Sequence, residues 1–128
     1  MKKTGVQSVK SRMMYLNGKM VQYENALIHV HAGALKYGAS VFEGLRAHWN
    51  EEKQELYVFR LNEHCERLMS SMRMMRMESE LSFEELRESV LRVLRENKFR
   101  EDVHIRQSAY IEEDGLITSK GQIGRAHV

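Results

Sequence analysis

The sequence predicts an α+β fold, a two-layer α/β arrangement in which an antiparallel-rich sheet carries two helices packed on one face. Three observations lead to it. Period-two alternation marks strands in the first half of the chain and again at VHIRQSAYI. Between them, two adjacent segments repeat apolar residues every three to four positions, the spacing of helices with one buried side. Polar and glycine-containing turns such as Asn17-Gly18 join neighbouring strands. Strands first, then a helix pair, then a returning strand is an α+β order rather than a repeated βαβ order.

The length of 128 residues suits one domain and suffices to bury a core. Hydrophobic residues at 42% and charged residues at 30% describe a soluble globular chain rather than a disordered or fibrous one. The formal charge is +2, from 20 basic and 18 acidic side chains mixed along the chain, too balanced to argue by itself for nucleic acid or an anionic membrane, and neither is expected as a partner. Cys65 is the single cysteine, so no intrachain disulfide or cysteine-based metal site can form and a reducing compartment is the simpler setting. No apolar run approaches a membrane span, and residues 1–10 lack the apolar core of a secretory signal, so the expected location is cytoplasmic.

The elements follow in order. Residues 1–12 read as a flexible N-terminus, and residues 13–122 as one domain. Asn17-Gly18 lies between the apolar runs of MMYLNGKMV and marks a type I′ hairpin, because both residues tolerate positive φ. Residues 24–30 continue as a loop or short strand. The stretch ALKYGASVFEGLRA at 34–47 is the centre of the chain: a helix stops at Gly38, and Ser40, Phe42 and Gly44 then alternate with Val41, Glu43 and Leu45. Spacing alone reads this as a tight helix-to-strand turn with core aromatics; it also allows Tyr37 and Phe42 to be aimed into a shared cleft. The polar residues 49–54 form a second hairpin turn, and residues 55–60 a compact strand.

Asn62 is the expected N-cap of a helix over residues 63–77, with Cys65, Leu68, Met69, Met72 and Met75 as its apolar stripe. Five of the nine methionines fall in residues 69–77, which suits gap-filling in a core and also a soft binding surface. Ser82 and Glu85 form a capping box, with Leu81 and Leu86 as its hydrophobic staple. Phe83, Leu86, Val90, Val93 and Leu94 line the buried face of the second helix, and Glu88 is placed to pair with Arg92. Val103–Ile111 closes the pattern as a strand.

Four segments carry more than periodicity: YLNGKMV, IHVHAGALKYGASVFEGLRA, YVFRLNEHCERL and VHIRQSAY. In this order and spacing they resemble the fold-type IV (class IV) aminotransferases, above all the branched-chain amino acid aminotransferases. The resemblance runs from Met14 to Tyr110 and covers only the smaller N-terminal domain of such enzymes. It implies an enzyme that uses pyridoxal 5′-phosphate (PLP) to move an amino group between an L-amino acid (leucine, isoleucine or valine) and 2-oxoglutarate. By the same resemblance Arg67 is the arginine that grips the PLP phosphate, a role suited to a guanidinium fork. Phe42 lines the pocket for an apolar substrate side chain, and Tyr37 reaches into the active site of a partner subunit, which implies a homodimer. Arg106 receives the distal carboxylate of glutamate, and Glu43 and Arg46 have supporting structural roles. Without the family, Arg67 reads as a solvated helix arginine and Arg106 as an edge charge or salt-bridge partner.

The chain departs from the pattern at two positions. His104 stands where a tyrosine commonly helps hold a carboxylate, and Gln107 where a proline commonly follows the arginine. Imidazole can donate a hydrogen bond to a carboxylate but differs from a phenol in reach, so a branch of the family with another substrate fits these residues as well. The Schiff-base lysine belongs to the larger domain of such enzymes, and none of the lysines here stands in a matching motif. No catalytic residue is therefore assigned, and the expectation is half an active site, inactive alone. Residues 123–128, IGRAHV, resemble the translation of a common sequencing adapter and are expected to be a non-native tail. A different class of reading remains, a stand-alone basic module for RNA or a partner protein built on Arg67, Arg73 and Arg76.

Overall fold

The computed structural model describes residues 12–112 and the backbone of residues 123–127. The expected flexible N-terminus lies almost wholly outside the described residues, as do residues 113–122.

Strands β1 (Met13–Leu16) and β2 (Lys19–Gln22) form the hairpin set by Asn17 and Gly18, which adopt φ of 51° and 86°. Both angles are left-handed, as a type I′ turn requires. A 3₁₀ turn at Tyr23–Asn25 and a loop lead to α1 (Gly33–Tyr37), which stops at Gly38 in the left-handed region with φ 66°. Glycine carries no Cβ to strain that conformation. Strand β3 (Ser40–Asn50) begins two residues later and turns back into β4 (Glu55–Val58), with Phe59 extending the pairing through its N–H to the Arg46 carbonyl. Helices α2 (Leu61–Met74) and α3 (Phe83–Asn97) follow, then β5 (Val103–Ile111) and β6 (Ile123–His127).

All six strands join in one sheet of order β2-β1-β6-β5-β3-β4, and every described pairing is antiparallel. Residues 123–127, part of the segment expected to be a tail, run between β5 and β1 in the sheet. Helices α2 and α3 cover one face, with Leu68 and Cys65 from α2 and Leu86, Val90 and Leu94 from α3 packed against Leu45, Ala47, Ile105 and Ala109 of the sheet. This is the two-layer α+β arrangement that the order of elements predicts.

Several local expectations are corrected. The first helix begins at Leu61, and its N-cap position is Arg60 in the left-handed region, with no side-chain cap. Asn62 instead lies within the first turn and accepts a hydrogen bond from Arg87 Nε at 3.0 Å, so its amide links the two helices. The helix ends at Met74, where Arg76 at φ 53° turns the chain away. That turn takes Met75 out of the apolar stripe and brings Met77 into the core. Met72 and Met77 fill the interior while Met74 and Met75 stay exposed, so the methionine segment divides between the two expected roles. Glu88 pairs with Arg95 at 3.0 Å and Arg92 with Glu96 at 2.9 Å, replacing the expected Glu88–Arg92 pair.

The second helix starts as its sequence dictates. Ser82 is extended, and its Oγ accepts the Glu85 N–H at 3.1 Å. Replacing Ser82 by Ala should lower stability by about 0.5–2 kcal/mol, read as a shifted urea midpoint at unchanged slope. An unchanged midpoint would show that the cap contributes nothing.

Candidate functional site

Alternation along β3 sends its side chains to two different surfaces. Val41, Glu43, Leu45 and Ala47 face the helices, while Phe42, Gly44, Arg46 and His48 face the uncovered side of the sheet. Pairing with β5 places Gly44 opposite Arg106, Arg46 opposite His104 and Phe42 opposite Ser108. Directly opposed residues share a face, so Phe42, His104 and Arg106 come together as neighbours.

On this uncovered side the Arg106 guanidinium lies over the Phe42 ring, 4.0 Å from its centroid. The contact combines a cation with the negative face of an aromatic ring and leaves the ring 56% exposed. The His104 imidazole rests on Gly44, where an added Cβ would come within 3.3 Å of Nε2. Gly44 thus provides the space that the histidine occupies. At the end of this surface Arg46, His48, Asp102 and His104 border an open recess of about 240 Å³.

On the helix-facing side, Glu43 is the one carboxylate in an otherwise apolar series, and only 4% of it is exposed. Arg67 from α2 meets it side-on, Nε donating to Oε1 at 2.7 Å and Nη2 to Oε2 at 2.8 Å. His64 Nδ1 lies 2.8 Å from Oε2 of the same carboxylate. His64 and Arg67 are three positions apart on α2 and so reach the strand from one helix face. The hydrogen bond from Arg67 holds the Glu43 carboxyl below the usual carboxylate range, assisted by His64 and opposed by burial. The same pairing raises Arg67. The Arg67 side chain is 68% exposed, so its remaining N–H groups face outward.

The sequence-assigned residues therefore form two groups on opposite faces of β3. Phe42, His104 and Arg106 are together; Arg67 is anchored one residue along the strand, on the other face. Tyr37 ends α1 at 45% exposure, with the Lys36 ammonium 5.3 Å from its ring centroid. Glu43 proves to be the anchor of Arg67, and His64 was not singled out from sequence at all. Its signal was present: a histidine and an arginine at i and i+3, and a glutamate at a position where the strand pattern calls for an apolar residue. The engagement of Arg67 by Glu43, and the position of Arg76 past the end of α2, leave no common helix face for Arg67, Arg73 and Arg76 as a basic module. Cys65 is fully buried and burial pushes its thiol up to about 11, which removes it as a nucleophile at neutral pH. Among the described residues no group of three metal-ligating side chains converges, and no helix is long and apolar enough to cross a membrane.

An α+β domain with this strand order, two helices on one face and these residues on β3 and β5 is the N-terminal domain of a fold-type IV aminotransferase, the family to which the chain belongs over the residues it spans. Its relatives within that family are branched-chain-amino-acid aminotransferases. It is 42% identical over 99 residues to a probable branched-chain-amino-acid aminotransferase of Aquifex aeolicus, covering 77% of this chain and 32% of that protein. It superposes with a TM-score of 0.86 on the branched-chain aminotransferase of Thermoproteus uzoniensis solved with norvaline, at 39% identity, covering 92% of this chain and 40% of the other. The enzyme of Thermobaculum terrenum in its PLP form gives 0.80 at 27% identity, covering 92% and 39%. The chain spans about a third of the length of the curated relatives it matches. No family model matches it.

The Glu43 ion pair has a pH signature. A folded-state pKa below the unfolded value adds stability that is complete above the unfolded pKa and is lost as pH falls through the folded one. Acid unfolding followed by circular dichroism should therefore steepen below the ordinary carboxylate range, and Glu43→Gln should flatten that limb. An identical acid profile in the variant would mean that the pair contributes no pH-dependent stability.

Proposed function

We propose that this chain supplies the cofactor-phosphate and substrate-side-chain contacts of a PLP-dependent branched-chain-type aminotransferase, transferring an amino group between an L-amino acid and a 2-oxo acid. The observation that carries the reading is that adjacent residues of β3 hold two groups: Glu43 anchors an outward Arg67, and Phe42 carries the Arg106 guanidinium.

Arg67 fits the phosphate of PLP. Its Nε edge is occupied by Glu43 and its outer edge is left to solvent, which suits a second, bidentate anion. PLP, when bound, supplies the electron sink that makes bonds at the substrate α-carbon labile. The residues of this chain bind and orient. Phe42 offers an apolar wall to a branched side chain. Arg106, whose guanidinium carbon lies over that ring, presents weakly hydrated guanidinium surface to leucine and can turn its N–H groups to the distal carboxylate of glutamate. His104, packed on Gly44, offers an imidazole N–H to the same carboxylate and is shorter in reach than a tyrosine.

The two groups can serve one ligand because β3 has an open edge. Strand β4 pairs only with residues 47–50 of β3, and Phe59 reaches Arg46; residues 40–45 have β5 on one side and, among the described residues, no strand on the other. Arg67 on one face of that edge would hold the cofactor phosphate, and Phe42 and Arg106 on the other would hold the substrate side chain. Tyr37, in this reading, enters the active site of a second subunit. The exposed Leu27, Val30 and Leu35 near it give α1 and its preceding loop the apolar character of a homodimer contact. A lysine for the covalent link to PLP is supplied by a further domain, so the chain alone is expected to be inactive.

In the full-length product of the gene, Arg67→Ala should weaken PLP binding about tenfold or more. Arg106→Leu should impair turnover with glutamate far more than with leucine, measured as kcat/KM for each donor. Equal losses for both donors would remove Arg106 from the carboxylate role.

A further inference from the structure

Glu43 presents a puzzle if it is only a core residue. A carboxylate 4% exposed, at a position flanked by Val41, Leu45 and Ala47, costs desolvation that an apolar side chain would avoid. Its neutralising arginine, by contrast, remains largely in solvent. A structural ion pair alone does not need that asymmetry, because a cation that left the surface would shield the carboxylate better.

The geometry explains it differently. The two oxygens of Glu43 accept from Nε and Nη2, which fixes the guanidinium plane and its rotation about the side-chain axis. His64 Nδ1, at 2.8 Å from Oε2, fixes the carboxylate in turn. An exposed arginine otherwise samples many rotamers and loses that freedom on binding an anion. Here the ordering is done in advance by a buried group on the rigid central strand.

We propose that Glu43 and His64 are positioning residues that preorganise Arg67 for a phosphate monoester, acting through the arginine without touching the ligand. The proposal rests on the reading of Arg67 as the phosphate contact. It assigns Glu43 a role in ligand selectivity as well as in packing.

The test compares pyridoxamine 5′-phosphate with pyridoxamine, which differ only in the phosphate and carry no aldehyde to react with surface lysines. Dissociation constants for both are measured on the chain by isothermal titration, with circular dichroism confirming the fold. The unsubstituted chain should prefer the phosphorylated ligand, and Arg67→Ala should abolish the preference. Glu43→Gln should reduce it about tenfold with pyridoxamine affinity unchanged, and His64→Gln by a smaller factor of about threefold. Retained preference in Arg67→Ala, or none in the unsubstituted chain, overturns the reading of Arg67 and this proposal with it. Loss in Arg67→Ala with full preference in both Glu43→Gln and His64→Gln overturns the positioning role alone. Equal weakening of both ligands in Glu43→Gln marks a purely structural residue and likewise overturns it. Should Glu43→Gln unfold, His64→Gln decides: a reduced preference supports the proposal and an unchanged one overturns it.

Discussion

The register of β3 against β5 is the constraint on which the rest of the molecule depends. Eight consecutive pairs, from Ser40 with Tyr110 to Ala47 with Val103, lock the two central strands. A slip of one residue would turn every side chain to the other face. Glu43 would then point to the uncovered side and Phe42 into the helices, and both candidate groups would be lost together. The register is itself held by burial, since Leu45, Ala47, Ile105 and Ala109 must all meet α2 and α3. Core packing and site geometry are thus set by a single pairing.

That pairing also brings two buried polar residues side by side. Glu43 lies opposite Gln107, which is fully buried and donates to the Leu86 carbonyl at 2.9 Å and to Ser89 Oγ at 3.3 Å. The strand pair is therefore linked to α2 through Glu43 and to α3 through Gln107. Buried polar groups are costly unless satisfied; Glu43 has Arg67 and His64 as partners, and Gln107 has a backbone carbonyl and a hydroxyl. The Gln107 side chain thus adds a link from β5 to α3 that an apolar residue could not make.

The sequence disclosed the fold where local chemistry decides it. Asn17-Gly18 demanded its turn, Ser82 and Glu85 set the start of α3, Gly38 ended α1, and VHIRQSAYI matched β5 residue for residue. It misled where tertiary partners outweigh local preference. Asn62 has the composition of a cap yet spends its amide on Arg87, and Glu88 reaches past Arg92 to Arg95 because Arg92 is taken by Glu96. Four motifs single out the candidate residues, and the structure divides them between two faces of the sheet. Strand alternation states it plainly: Phe42 and Glu43 are neighbours in sequence, and their side chains point to opposite faces.

The division has a functional consequence. A domain that offers an anchored arginine on one face and an aromatic–guanidinium surface on the other cannot enclose a ligand by itself, because the sheet stands between them. Only the edge of β3 over residues 40–45 joins the two, and a sheet edge is a line rather than a pocket. A ligand held at that edge would be bordered by this domain on one side only. The two candidate groups therefore meet only at a margin of the sheet, and the ion pair of Glu43 with Arg67 is what holds one of them in place there.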